Sequence, residues 1–446
     1  MTTTRREFMI GCSAAIAAYA ARSTVHAGFL PAAAFRASSG AIAGANTDAV
    51  VVIFLRGGMD SLHMLGPAND KDYIAARPAN LRVTDAGDQE GLSLGDSSGG
   101  GAGLDFRIHK NAAPLKELFE AKHLAFIHAC GLTNGTRSHF EAMDLVERGV
   151  AETGQQNLAS GWITRHLSAL AGLPAQGQAV SMLPALAADD SLPASLLGFP
   201  KAAASKVAER FGLWGGDAQR EALATLYAPG LPLHEPAQQA LSILKAVNER
   251  LPRNKKGEVE KYQPQHGAKY PEGQLAQSLQ TVARMLKTDL GVRVATVDFG
   301  GWDTHQDQTY LFPVRLRELA SALHAFHTDM TDHHSRLTVV VQSEFGRRLK
   351  ANKSNGTDHG HGAAMMVLGG NIAGGKIHGS WPGLATDQLD SRADLAVTTD
   401  YRQVLGEIIL KRQGNAKLGE VFPGLKQYTP LGVVNAHAEA PTSAVL

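Results

Sequence analysis

The sequence predicts an α/β fold, a mostly parallel sheet with helices on both faces. Ala49–Leu55 (AVVVIFL), Leu124–Ala129 (LAFIHA) and Leu337–Gln342 (LTVVVQ) are near-continuous apolar runs rich in β-branched residues. Such runs mark strands buried on both faces. Arg293–Asp298 and Met365–Leu368 are shorter runs of the same kind. Stretches with apolar residues at helical spacing lie between them, and strands alternating with helices build parallel sheets. The 446 residues, 44% of them hydrophobic, are ample for a large core. No internal repeat is present.

In chain order, residues 2–27 read as an export signal. Thr4-Arg5-Arg6-Glu7-Phe8-Met9 precedes a weakly apolar run from Met9 to Ala21, and Val25-His26-Ala27 offers a small-x-small cleavage site. This is the pattern of a twin-arginine signal. The run is too short to span a bilayer, which takes ~20 residues. The expectation is a periplasmic or secreted protein whose mature form has no transmembrane span. Cleavage after Ala27 removes Cys12 and leaves Cys130 alone, so no intrachain disulfide forms and a disulfide-stapled scaffold is excluded.

Residues 28–46, rich in Ala, Ser and Gly, read as a linker, and 47–430 as the folded domain. Residues 84–104 read as a loop, with helices at Asn111–Ala121, Ser138–Arg148 and Ser160–Leu170. The stretch 150–290 reads as a helical insertion or cap, with helices at Ala203–Phe211, Ala218–Tyr227, Pro236–Leu251 and Glu272–Leu286. A further helix is expected at Val314–Met330, and 431–446 reads as an irregular tail. Lys and Arg number 43 against 42 Asp and Glu. That balance argues against binding nucleic acid through phosphate charge.

In open α/β sheets, ligands sit outside the carboxyl ends of the strands. The strand ends here carry Arg56-Gly-Gly-Met-Asp60-Ser61, Thr136-Arg137-Ser138-His139, Gly300-Gly-Trp-Asp303-Thr-His305 and Ser343-Glu344-Phe-Gly-Arg347. Gly356-Thr-Asp358-His359-Gly-His361-Gly precedes the strand at Met365. These five segments gather Asp60, Asp303, His305, Glu344, Asp358, His359 and His361. Carboxylates mixed with imidazoles suit a divalent metal, and seven such groups are enough for two ions. A paired site can clamp both oxygens of an in-line displacement. Ser138 is placed for a helix N-cap. His63, His109, His128, His333 and His334 read as structural or surface residues, while His139 reads equally as structural or functional.

These motifs resemble the domain-of-unknown-function 1501 family, exported bacterial proteins of the alkaline phosphatase and sulfatase superfamily. The resemblance rests on the twin-arginine start, LRGGMDSL at 55–62, TRSHFEAMD at 136–144, DFGGWDTHQ at 298–306, SEFGRR at 343–348, GTDHGHGAAMMVLGG at 356–370 and VTTDYRQVLGEIIL at 397–410. It implies an alkaline phosphatase-like three-layer α/β/α sandwich. Asp60 then stands where that superfamily places a metal-binding acid, and Ser138, or else Ser61, stands for the nucleophile. Asp303, His305, Glu344 and the Thr357-Asp358-His359 triplet match the later metal ligands. Three features depart from the pattern. Phe345 stands where phosphatases place a histidine, a gap left for His361 to fill as ligand; the spacing from Asp303 to His305 is shorter than usual; and the setting of Cys130 does not fit formylglycine formation.

The function so implied is a secreted metal-dependent hydrolase of phosphate or sulfate esters, with one or two Zn, Mn or Ca ions. Asp60 and Glu344 would hold one ion; Asp303, His305 and His359 the other. Arg137 or Arg347, with Arg56 as a further candidate, would bind the anion. The substrate would be a small anionic ester or a sulfated or phosphorylated saccharide. The alternative is a non-catalytic exported protein that keeps the fold and a structural metal and acts through a protein partner in the envelope.

Overall fold

The structure is a computed structural model. It describes residues 48–446 apart from 96–100, 102, 153–158, 172–180, 212, 214, 215, 232, 289, 438 and 439. The expected signal and linker therefore lie outside the described residues. The strands used below are β1 (Ala49–Leu55), β2 (Leu124–Gly131), β3 (Ala185–Ala187), β4 (Ala202–Ala204), β5 (Val294–Phe299), β6 (Leu337–Ser343), β7 (Arg347–Ala351), β8 (Thr357–His359), β9 (Ala363–Gly369), β10 (Ile377–His378) and β11 (Thr399–Asp400).

One compact unit comprises Asp48–Leu158, Pro264–Ala276 and Val297–Leu446. Its sheet runs in the order β10-β2-β9-β6-β1, with the end of β5 next to β1 and β11 beside β2. β1 and β6 pair in parallel over their whole length, from Ala49 opposite Leu337 to Leu55 opposite Ser343. Every residue of β1, β2, β6 and β9 is buried, as their apolar runs require. Alternation with helices predicts parallel neighbours, and most are. The exception is β9, which runs antiparallel to both β2 and β6. It follows the β7–β8 ribbon, whose turn reverses the chain. The fold is thus a mixed α/β one around a large, mostly parallel sheet.

The sequence reading did not anticipate that ribbon, nor the small sheet formed by Leu65–Pro67, Leu92–Ser93 and Phe106–Ile108. Each of these strands is too short for a period to show. The expected tail is irregular but tethered: the buried carboxylate of Glu407 accepts the backbone N–H groups of Leu431, Gly432 and Val434.

The other unit comprises Ala159–Gln263 and Gln277–Thr296. Helices Trp162–Ala171, Gly216–Leu226 and His234–Arg250 form where helical spacing predicts them. The stretch is not wholly helical, however. β3 pairs in parallel with β4 and with the first half of β5. Ala203–Phe211, expected as a helix, instead supplies part of β4 and a 3-10 turn at Ala208–Arg210. Its alanines favour helix intrinsically, and edge pairing overrides a propensity worth only tenths of a kcal/mol, roughly, per residue. Among the described residues, no helix is long and apolar enough to cross a membrane.

Candidate metal centre

β1, β5 and β6 all end at one edge of the sheet, and their loops meet there. The β1 loop turns through Gly57 and Gly58, both at positive φ (119° and 64°). A Cβ on Gly57 would stand 2.5 Å from the backbone N of Asp303, so the first and third loops touch only because this residue is glycine. Arg347, fully buried at the start of β7, ties the loops together. It donates to the carbonyls of Gly58 (2.6 Å), Thr357 (2.9 Å) and Trp302 (3.1 Å), to that of Gly57, and to Asp303 Oδ1 at 2.7 Å.

Three imidazoles surround the carboxylate that Arg347 holds. His305 Nε2 lies 3.1 Å from Asp303 Oδ1, and His359 Nε2 lies 3.3 Å from the same atom. His139 Nε2 lies 3.5 Å from Asp303 Oδ2. His305 Nε2 and His359 Nε2 are 2.8 Å apart. Each ring is oriented through its other nitrogen. His139 Nδ1 is 2.7 Å from Glu344 Oε1, His305 Nδ1 is 3.1 Å from Asp358 Oδ1, and His359 Nδ1 is 2.9 Å from the carbonyl of Arg137. A carbonyl and an ionised carboxylate only accept, so all three protons belong on Nδ1. The three Nε2 lone pairs then face the Asp303 carboxylate, and ligand atoms of His139, Asp303 and His359 all lie within 4.8 Å of one another. His139 Nε2 is buried without a hydrogen-bond partner. Asp303 and His305 remain nearly half exposed, leaving a solvent approach.

The charges suit a cation. Burial would raise the Asp303 carboxyl, but the hydrogen bond and charge of Arg347 outweigh it and hold the group down at about 2. The hydrogen bond to Glu344 raises His139 above the ordinary imidazole value. Burial lowers His359, with the Arg347 charge acting the same way. Hydrogen bonds from Asn352 and His305 keep Asp358 ionised. Three imidazoles beside a carboxylate, each imidazole backed by an acceptor, are a donor set that could hold a divalent cation.

Of the seven residues expected as ligands, the structure brings Asp303, His305 and His359 together. Glu344 and Asp358 stand one step back, each orienting an imidazole. Asp60 is a correction. Its fully buried carboxylate forms a two-pronged ion pair with Arg77 (2.8 and 3.0 Å) and accepts from Gln308 at 2.6 Å. It organises the interior beneath the site and offers no free lone pair to an ion. His361 is another: Nδ1 meets Asp390 at 2.7 Å and Nε2 meets the carbonyl of Leu132 at 2.8 Å, so both nitrogens are engaged. With Asp60 and Glu344 both committed, the expected second ion loses its ligands.

The expected catalytic residues also separate. Ser138 is exposed at the N-cap of the helix His139–Arg148, and its side chain makes no capping bond. Ser61 is buried within the short helix Ser61–Met64, where nothing can reach it. The guanidinium of Arg137 pairs with Asp394 (2.7 Å from Nε), and its backbone carbonyl, not its charge, serves the centre. Arg347 is saturated by the carbonyls and Asp303, so it positions and does not bind an anion. Arg56 pairs with Asp298 at 2.7 Å and with Glu147. The residue that the sequence left undecided is His139. Its spacing after Ser138 suits a ligand or a helix start equally, and only Glu344, 205 positions away, decides between them.

No curated protein matches the chain. Two solved structures bear a slight likeness. One is the C-terminal periplasmic domain of EcEptC from Escherichia coli, in complex with Zn, at 8% identity and TM-score 0.30, covering 73% of this chain and 74% of that one. The other is Ps i-CgsB in complex with k-i-k-neocarrahexaose, at 10% identity and TM-score 0.30, covering 74% and 68%. A family model described as "Protein of unknown function (DUF1501)" matches residues 125–414, and the chain belongs to that family.

Proposed function

We propose that His139, His305, His359 and Asp303 hold one divalent cation, zinc by donor type, and that the centre hydrolyses a phosphate or sulfate ester. The observation that carries this reading is the orientation of the three imidazoles. Each Nδ1 is held by an acceptor, so each Nε2 is bare and turned to the same carboxylate. A bound cation would supply Lewis acidity toward a phosphoryl or sulfuryl oxygen. The chain's own groups do the rest. Arg347 keeps Asp303 ionised and in place. The exposed Ser138 hydroxyl, which caps no amide, is the nucleophile: its oxygen bonds to phosphorus or sulfur as the ester alcohol leaves with the hydroxyl proton, and water then cleaves the Ser138 ester and restores the hydroxyl. The start of the ten-residue helix behind it adds partial positive charge toward an anion. Arg56, Arg137 and Arg347 are paired, so this helix start would hold the ester's anionic group, together with a cation bound at the site. A sulfated or phosphorylated saccharide is the substrate class, reached in the periplasm or outside the cell after twin-arginine export.

The test is metal content of tag-free protein from metal-replete cells, measured by inductively coupled plasma mass spectrometry, beside turnover of aryl phosphate and aryl sulfate. Wild type should carry metal at this site, and His359→Ala and Asp303→Asn should lose it together with turnover. A wild type whose metal content these variants leave unchanged ends the reading. Metal lost in the variants but no turnover of either ester favours the non-catalytic alternative. Arg5→Lys with Arg6→Lys should retain the protein in the cytoplasm.

A further inference from the structure

A second cluster of imidazoles lies at the opposite edge of the same sheet. His123 immediately precedes β2, His334 lies three residues before β6, and His327 sits in the last turn of the helix Gln308–Asp329. β1, β2 and β6 start at this edge and end at the other, so the cluster is remote from Asp303 and shares no residue with it. One nitrogen from each of the three rings falls within 4.8 Å of the others. The rings of His327 and His334 stack at 3.8 Å, and His123 lies 4.7 Å from His327.

The ring nitrogens sort as they do at the first centre. His334 Nε2 lies 2.8 Å from the backbone carbonyl of His327, which accepts only, so its proton is on Nε2 and its Nδ1 is bare. His123 Nδ1 faces the carbonyl of Gly369 at 3.4 Å, which leaves its Nε2 bare. His327 Nε2 is buried and has no hydrogen-bond partner. A buried imidazole nitrogen left unpaired costs free energy unless something binds it.

Backbone hydrogen bonds tie two of the three histidines to the end of β9. Gly369 N–H donates to the carbonyl of His123 (3.0 Å) and Gly370 N–H to that of His334 (3.2 Å). A Cβ on Gly370 would stand 2.7 Å from the carbonyl of His334, so the glycine that follows β9 is what admits that histidine. The charged or titratable groups acting on the cluster from packed elements are His324, His266 and Asp332. Asp332 is engaged by His266 at 2.9 Å. Burial lowers His327, to about 3, and lowers His334 as well.

We propose that His123 Nε2, His327 Nε2 and His334 Nδ1 form a second divalent-metal site, of the zinc, copper or nickel class that imidazole favours. It acts as a clip joining the end of the helix Gln308–Asp329 to the starts of β2 and β6. Zn–N bonds are ~2.0–2.1 Å, and small side-chain rotations bring the three nitrogens onto one ion.

The probe is Zn²⁺ alone, titrated into tag-free, metal-stripped full-length protein and read as bound equivalents and as thermal midpoint. His359→Ala, which lacks the first centre, should still bind one equivalent and gain several degrees on Zn²⁺ addition. His327→Gln should lose one equivalent relative to wild type, and the double variant should bind none and gain nothing. His123→Gln, at a half-buried position, repeats the loss if His327→Gln fails to fold by circular dichroism. Zn²⁺ uptake by His359→Ala with the same content in wild type supports this site while ending the first reading. A His359→Ala protein that binds no Zn²⁺, or a folded His327→Gln or His123→Gln with wild-type content, overturns the proposal.

Discussion

His139 Nδ1 stands 2.7 Å from Glu344 Oε1, and that contact turns the opposite ring nitrogen toward Asp303. Glu344 is itself fixed by the Gly57 N–H at 2.8 Å and the Ser343 hydroxyl at 3.0 Å. Removing its charge should loosen His139 and lower the basicity of the ring. Glu344→Gln should weaken metal affinity about 10–100-fold, the usual range for groups orienting a ligating histidine. Competition against a chelator of known affinity measures this. Equal affinity in the variant would take Glu344 out of the account.

Gly57 lies at positive φ with no room for a side chain beside the backbone of Asp303. Gly57→Ala should move the loop that carries Asp303 and His305. Strained backbone of this kind costs of order 1–3 kcal/mol. The expected outcome is a folded protein, modestly destabilised to urea, with sharply reduced metal content. Full metal occupancy in a folded Gly57→Ala protein would mean that the two loops are not coupled.

Asp60 and Arg77 are both fully buried, and each is the other's charge partner. Burial alone would raise the Asp60 carboxyl, but Arg77, His63 and Gln308 outweigh it, so the group ends below its usual 3.8. A depressed folded-state value adds stability above the unfolded-state value, and this is lost as pH falls through the folded one. Arg77→Met should cost about 3–5 kcal/mol at neutral pH by leaving the charge unpaired. The gap from wild type should narrow as pH falls, first above 3.8, where the unpaired buried carboxyl of the variant protonates, and then below 3.8, where wild type loses the stability of its ionised carboxylate. Denaturant melts at the two pH values give the answer, and a pH-independent gap would contradict the pairing.

Ser138 carries an exposed hydroxyl next in sequence to a proposed ligand, and its side chain makes no capping bond. Ser138→Ala should therefore abolish ester turnover while leaving metal content and stability unchanged. Unchanged turnover would move the attack to a water molecule. Ser61, buried in its helix, is no substitute.

Strong local signals settled much of this protein before any tertiary contact was considered. The apolar runs at 49–55, 124–129 and 337–342 mark strands buried on both faces, and the structure places buried strands there. Parallel strands then bring their loops to one edge, and so the segments carrying Asp303, His305, Glu344 and His359 were legible as neighbours. Tertiary structure alone decided what each of them does. Whether a carboxylate binds a cation or serves an arginine depends on a partner such as Arg77 for Asp60, or on His139 for Glu344, and neither pairing leaves a trace in spacing. The second imidazole cluster shows the same limit. His123, His327 and His334 are 204 and 7 positions apart along the chain and meet only because two strand starts and one helix end share an edge. Sequence periodicity reports which face of an element is buried; it carries no record of which side chains meet across the fold.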